Sequence, residues 1–159
     1  MSILNTLGGK ILATLFFSMV PVLELRFAIP FGVAHDLPLW GAILISIVGN
    51  LIPVPFIIVF IRKIFTWLRT KSGGLNRLVT RLEERAEKKS GVVERYAFWG
   101  LFVLVAIPLP GTGAWTGALV AAMLDMRVKR AFPAILLGVL AAGIIVATVT
   151  YGAGALLTD

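Results

Sequence analysis

Val105-Ala106-Ile107-Pro108-Leu109-Pro110-Gly111-Thr112-Gly113-Ala114-Trp115-Thr116-Gly117-Ala118 is the stretch that decides the fold. It lies inside a run, 97–124, that contains no Lys, Arg, Asp or Glu. Each proline removes a backbone donor and biases its predecessor away from helix, and the glycines favour a turn. The run therefore reads as two short apolar helices with a break at Pro108–Gly113. Its flanks decide whether it crosses a membrane or returns. Upstream, the segment 62–96 holds ten of the fifteen Lys and Arg against four acids, and downstream come Arg127, Lys129 and Arg130. Short loops rich in Lys and Arg stay on the cytoplasmic side. With both flanks inside, 97–124 is expected to enter, turn at its break and come back.

Two further runs, 37–61 and 131–157, also lack charged residues, and each exceeds the roughly 18 residues that mark a spanning helix. The chain of 159 residues is 58% hydrophobic and 14% charged, too apolar to wrap a soluble exterior around three such runs. Spans are expected over 39–61 and 131–157. The first apolar region, 3–34, is interrupted between Pro21 and Pro30, with Glu24 and Arg26 inside the break. Its ends carry Lys10 and no cation beside His35-Asp36, which fits the outer face. It reads as a second hairpin, opposite in orientation to the first. Because the early apolar run leads into Pro21 and Glu24 instead of a small-residue cleavage site, it reads as retained.

The expected architecture is all-α and integral to the membrane: one membrane domain, 1–159, built as an inverted repeat of re-entrant hairpin plus transmembrane helix. The first repeat is 1–61 (hairpin 3–34, span 39–61) and the second 97–159 (hairpin 97–124, span 131–157). Between them lies a basic cytoplasmic linker, 62–96. In it Leu75, Leu78, Val79 and Leu82 recur at helical spacing, with Arg77, Arg81, Glu84, Arg85 and Lys88 on other faces, the pattern of an amphipathic helix on lipid headgroups. The tripeptides Ala28-Ile29-Pro30 and Ala106-Ile107-Pro108 echo one another across the halves. Gly138, Ala141, Ala142 and Gly143 form a small-residue face suited to close helix contact, here the contact of a homodimer.

Broken helices expose unpaired peptide groups, and such groups in hydrocarbon need partners. The half-helix after Pro108, Pro110, Gly111, Thr112 and Gly113 offers free N–H groups and a positive dipole end, able to hold an anion. Thr112 adds a hydroxyl, and Trp115 is placed to pack over an apolar ligand. Glu24 and Arg26 are costly at membrane depth, roughly 2.5–3.5 kcal/mol each on insertion scales, so they pair or line a polar path. Burial favours a neutral carboxyl, and Glu24 reads as a proton carrier, with Arg26 anchoring Glu24 or an anionic group. Asn50, mid-span, reads as an interhelical hydrogen bonder. The substrate or ion site is thus expected at Glu24, Arg26, Asn50, Pro108, Pro110, Gly111, Thr112, Gly113 and Trp115.

The composition also excludes. There is no Cys and a single His, His35, so thiol chemistry and Cys- or multi-His metal sites within the chain are ruled out. No phosphate-binding loop or catalytic constellation occurs; no enzyme activity and no cofactor are expected. The net charge of +7 is concentrated in the linker and reads as topology, not as a nucleic-acid surface.

Three motifs, Glu24-Leu25-Arg26-Phe27-Ala28-Ile29-Pro30, Gly49-Asn50-Leu51-Ile52-Pro53-Val54-Pro55 and the opening stretch 105–118, resemble the small multidrug export protein family of bacteria and archaea. The family is itself distantly similar to the DedA (SNARE-associated, VTT-domain) proteins, thought to carry two facing re-entrant hairpins. The resemblance implies a multi-pass protein of the prokaryotic plasma membrane. It also implies a midplane site shared by Glu24, Arg26 and 108–113. The leading expectation is a small proton-coupled secondary transporter for small hydrophobic substrates. One alternative is a flippase or scramblase for anionic lipid phosphates such as undecaprenyl phosphate. Another is a membrane organiser or assembly factor without transport.

Overall fold

The computed structural model describes residues 6–71, 77, 90–109 and 112–155, and all regular structure among them is helical. The elements are α1 (Leu7–Met19), α2 (Glu24–Ala34), α3 (Leu39–Leu51), α4 (Pro53–Lys71), α5 (Ser90–Ala106), α6 (Ala114–Met123) and α7 (Val128–Ala155). Pro110, Gly111 and nearly all of the expected amphipathic helix, 75–89, lie outside the described residues.

Local sequence sets the breaks. Thr6 caps α1, its hydroxyl accepting from the Gly9 N–H at 3.2 Å. Val20 precedes Pro21, adopts extended backbone and ends α1, as a pre-proline residue should. The break is shorter than Pro21–Pro30: α2 restarts at Glu24 and takes Pro30 inside it. Ile52 keeps helical dihedrals between α3 and α4, and Pro53 stands at the first position of α4, where no N–H is needed. The pair forms one bent apolar run, Leu39–Trp67, of 29 residues. The other long run is Val128–Gly152, 25 residues. A helix of 25 residues extends roughly 38 Å, beyond the ~30 Å of a bilayer's hydrocarbon. Both expected spans are thus helices long and apolar enough to cross; the first runs past its expected end at 61, and the second begins before 131 and stops at Gly152.

α1 and α2 are antiparallel neighbours. Lys10 bonds Asp36 at 3.1 Å, a Cβ on Gly32 would lie 3.2 Å from Thr14, and the rings of Phe17 and Phe31 stand 4.6 Å apart. α1 crosses α3 closely: a Cβ on Gly49 would fall 1.9 Å from the Ser18 hydroxyl and 2.7 Å from the Leu15 carbonyl. α5 crosses α7 in the same way, since a Cβ on Gly138 would fall 2.6 Å from Val105 and 3.0 Å from the Phe102 carbonyl. Gly143 lies against Ile43 and Ile47 of α3. The small-residue face expected to serve a homodimer is therefore occupied within the chain, because it is what lets α5 and α3 reach α7.

Both α2 and α6 end in the same turn. The Leu37 N–H reaches the Gly32 carbonyl at 3.0 Å, and the Met126 N–H reaches the Ala121 carbonyl at 2.9 Å. The left-handed residues are Asp36 (φ 63°) and Asp125 (φ 53°), aspartates where such turns usually place glycine. The tripeptide echo does not mark equivalent places: Ala28–Pro30 lies inside α2, whereas Pro108 follows the end of α5. The core is Ile29, Ile58, Val105, Ile135 and Val139 with a seam of alanines. Large apolar side chains such as Phe16, Trp40, Phe56, Trp99 and Val149 stay exposed around the outside, a surface suited to lipid contact.

Candidate functional site

The turn of the first hairpin and the break of the second meet. Glu24, Arg26, Asn50, Gly113 and Ala114 line one space with Val139, which gathers four of the residues expected from sequence. The space is closed: it does not admit a water molecule.

Each tip completes the other's backbone. The Glu24 carboxylate, with the residue 4% exposed, sits at the first turn of α6 and accepts from the Trp115 N–H at 3.3 Å. Gly113 precedes that helix with φ 142°, and a Cβ there would overlap the carboxylate. Glycine is thus required twice, for its backbone and for the space. Arg26 works on the other side of the break. Its Nη2 donates to the Thr112 carbonyl at 2.6 Å and to the Thr112 hydroxyl at 2.9 Å, and its Nη1 donates to the Leu109 carbonyl. In return the Trp115 indole N–H donates to the Met19 carbonyl at 2.9 Å, capping the last turn of α1. Thr112 tightens its own loop. Its hydroxyl lies 2.6 Å from the Ile107 carbonyl, to which it donates, and accepts from the Leu109 N–H at 3.1 Å.

The tips thus satisfy each other's unpaired peptide groups with side chains, as buried helix ends require. The helix start expected to hold an anion is met by a carboxyl group of the chain itself. The indole expected over an apolar ligand is bonded to backbone. Among the described residues no ion pair joins Glu24 to Arg26; the ion pairs are Lys10–Asp36 and Arg62–Asp125. Residues two apart on a helix face different sides, so each reaches a different part of the opposing loop. Pro108 contributes shape to that loop.

Two features carry stored cost. Glu24 has φ 47°, a left-handed conformation unfavourable for a residue with a side chain and typical of sites under constraint. Asn50 is 1% exposed and its Oδ1 has no partner; the buried Ser46 hydroxyl, one turn earlier, also has none. The interhelical bond expected of Asn50 is therefore not made by its oxygen. Sequence reasoning passed over Met19, whose contribution is a carbonyl and hence silent in the side-chain code. It also passed over Gly49, which stands beside Asn50 in a motif already noted.

No curated protein and no solved structure matches the chain. One family model does, across residues 24–145, a range that takes in Glu24, Arg26, Asn50, the second tip, the first long run and most of the second. By that match the chain belongs to the family described as "Putative small multi-drug export protein".

Proposed function

We propose that the chain is a small secondary exporter whose two hairpins re-enter the membrane from opposite sides and lock tip to tip at its middle. Helices of 13, 11 and 10 residues for α1, α2 and α6 reach only roughly 15–20 Å, half of a bilayer. Asn50 and Val139 lie beside the tips, each roughly 16 Å along a helix from the starts of the two long runs at Leu39 and Val128. The Lys10–Asp36 and Arg62–Asp125 pairs stand at opposite ends of the first long run, which supports hairpins entering from opposite faces.

The observation that carries the reading is the buried Glu24 carboxylate capping a helix of the other hairpin. A carboxylate at a helix start is held by the dipole and by a charge-assisted bond. Protonation removes the charge and loosens the clasp. The strain at Glu24 and the orphaned oxygen of Asn50 favour the tips parting once it loosens. A parted site presents Glu24 to a cationic, apolar substrate, and proton and substrate compete for one carboxylate. Arg26 stays with the loop carbonyls and keeps the second tip folded.

Reconstituted vesicles test this. A fluorescent cationic dye should be moved by the protein under a proton gradient, and Glu24→Gln should remove the dependence on the gradient. Unchanged pH dependence in that variant defeats the proton role. Translocation of lipid headgroups without dye flux defeats the exporter reading in favour of an anionic-lipid flippase. Neither activity defeats transport altogether and leaves the organiser role.

A further inference from the structure

Away from the tips, the start of α5 and the start of α7 form an open cleft of ≈ 450 Å³ lined by Arg95, Phe98, Trp99, Met126, Lys129 and Arg130. Among the described residues, three cations from two helices line it and no carboxylate does. Two acids adjoin the lining residues in sequence, Glu94 beside Arg95 and Asp125 beside Met126; Asp125 bonds Arg62 at 2.8 Å, and the three cations outnumber the one acid that remains. The floor is apolar and aromatic: Phe98 and Trp99 meet edge to face at 5.5 Å, and Trp99 is 56% exposed. A free inorganic anion has no use for such a floor. An amphiphile has, and the helix faces continue the path. One turn beyond Trp99 lies exposed Val103, and one turn beyond Pro133, which also lines the cleft, lies exposed Leu137.

We propose that this cleft binds the phosphate headgroup of an anionic phospholipid of the inner leaflet, with its acyl chains running past Trp99 and Val103. Basic pockets between membrane helices on the cytoplasmic side take such headgroups, and tryptophan settles at headgroup depth. The inference rests on the membrane placement above and is independent of transport: the cleft shares no residue with the tips.

The test is quenching of tryptophan fluorescence in full-length protein by phosphatidylglycerol brominated in its acyl chains, against brominated phosphatidylcholine at equal mole fraction. Phosphatidylglycerol should quench more strongly, and Trp99→Phe should abolish that excess. Lys129→Gln with Arg130→Gln should weaken the preference roughly fivefold per cation removed; Arg95→Gln, on the other helix, should do so independently. Lys63→Gln with Arg127→Gln removes two charges that do not line the cleft and should leave the preference intact. Equal quenching by both lipids, or an equal loss in the Lys63/Arg127 variant, overturns the site and leaves only general attraction to a basic face. Loss of the preference in millimolar inorganic phosphate at constant ionic strength shows a free-anion site and overturns the lipid assignment.

Discussion

The two hairpin tips occupy one place and are made of opposite materials. The first, around Met19–Arg26, contributes a carboxyl, a guanidinium and one carbonyl; the second, from Ile107 to Trp115, contributes mainly backbone, with the Thr112 hydroxyl and the Trp115 indole and no charged group. The same number of residues separates Glu24 from Gly113, Asp36 from Asp125 and Gly49 from Gly138. On the repeat proposed above, equivalent positions have diverged from charge to space. Where one half carries Glu24 the other carries the glycine that admits its side chain, and where one carries Arg26 the other carries Trp115. A polar contact in hydrocarbon needs donors and acceptors in balance, and dividing them between halves makes each tip incomplete without the other.

That contrast can be broken in several places. The largest effect is expected from Arg26→Met, which strips the Leu109 and Thr112 carbonyls of a charged donor. Each such bond is worth about 1.5–3 kcal/mol, so amide exchange across 107–113 should rise steeply while α3 stays protected. Protection unchanged at 107–113 would mean the second tip holds itself. Gly113→Ala should approach that effect, because it meets both the clash with Glu24 and the φ of 142°. Next come Gly49→Ala and Gly138→Ala. Each forces a backbone crossing apart, at about 1–3 kcal/mol of overpacking, and thermal unfolding in detergent should show similar losses for the two. A harmless change at one crossing would show that the halves do not pack alike. Thr112→Val, losing a hydroxyl but keeping shape, should cost about 1 kcal/mol. The smallest effect belongs to the rims: Lys10→Ala and Arg62→Ala break exposed ion pairs worth about 0–1 kcal/mol.

Much of this plan was legible in the residues. Charge-free runs and basic flanks gave the two long helices and placed the breaks near Pro21 and Pro108. The costly pair Glu24 and Arg26 pointed to the contact between the tips because charged side chains within apolar sequence need partners. What the side-chain code left dark was which partners. The opposing loop answers with carbonyls and N–H groups, which every residue has, so no motif announces them. Pro30 misled for a related reason. A proline inside a helix and one at its end look alike in sequence, and only the packing of α2 on α1 and α3 decides between them. The equivalence of Asp36 and Asp125 was hidden because the turn they close is defined by backbone, and the louder tripeptide echo pointed to a different register.

The most direct test of two re-entrant hairpins locked at mid-membrane is labelling of single cysteines, in a chain that has none of its own, at positions 8, 35, 95 and 127, using a thiol reagent that does not cross membranes. The account predicts that 8 and 35 react from the outer face of intact cells, and that 95 and 127 react only once the membrane is opened. Reaction of 8 and 35 from opposite faces, or of 95 and 127 from opposite faces, would make that hairpin a crossing and contradict the account.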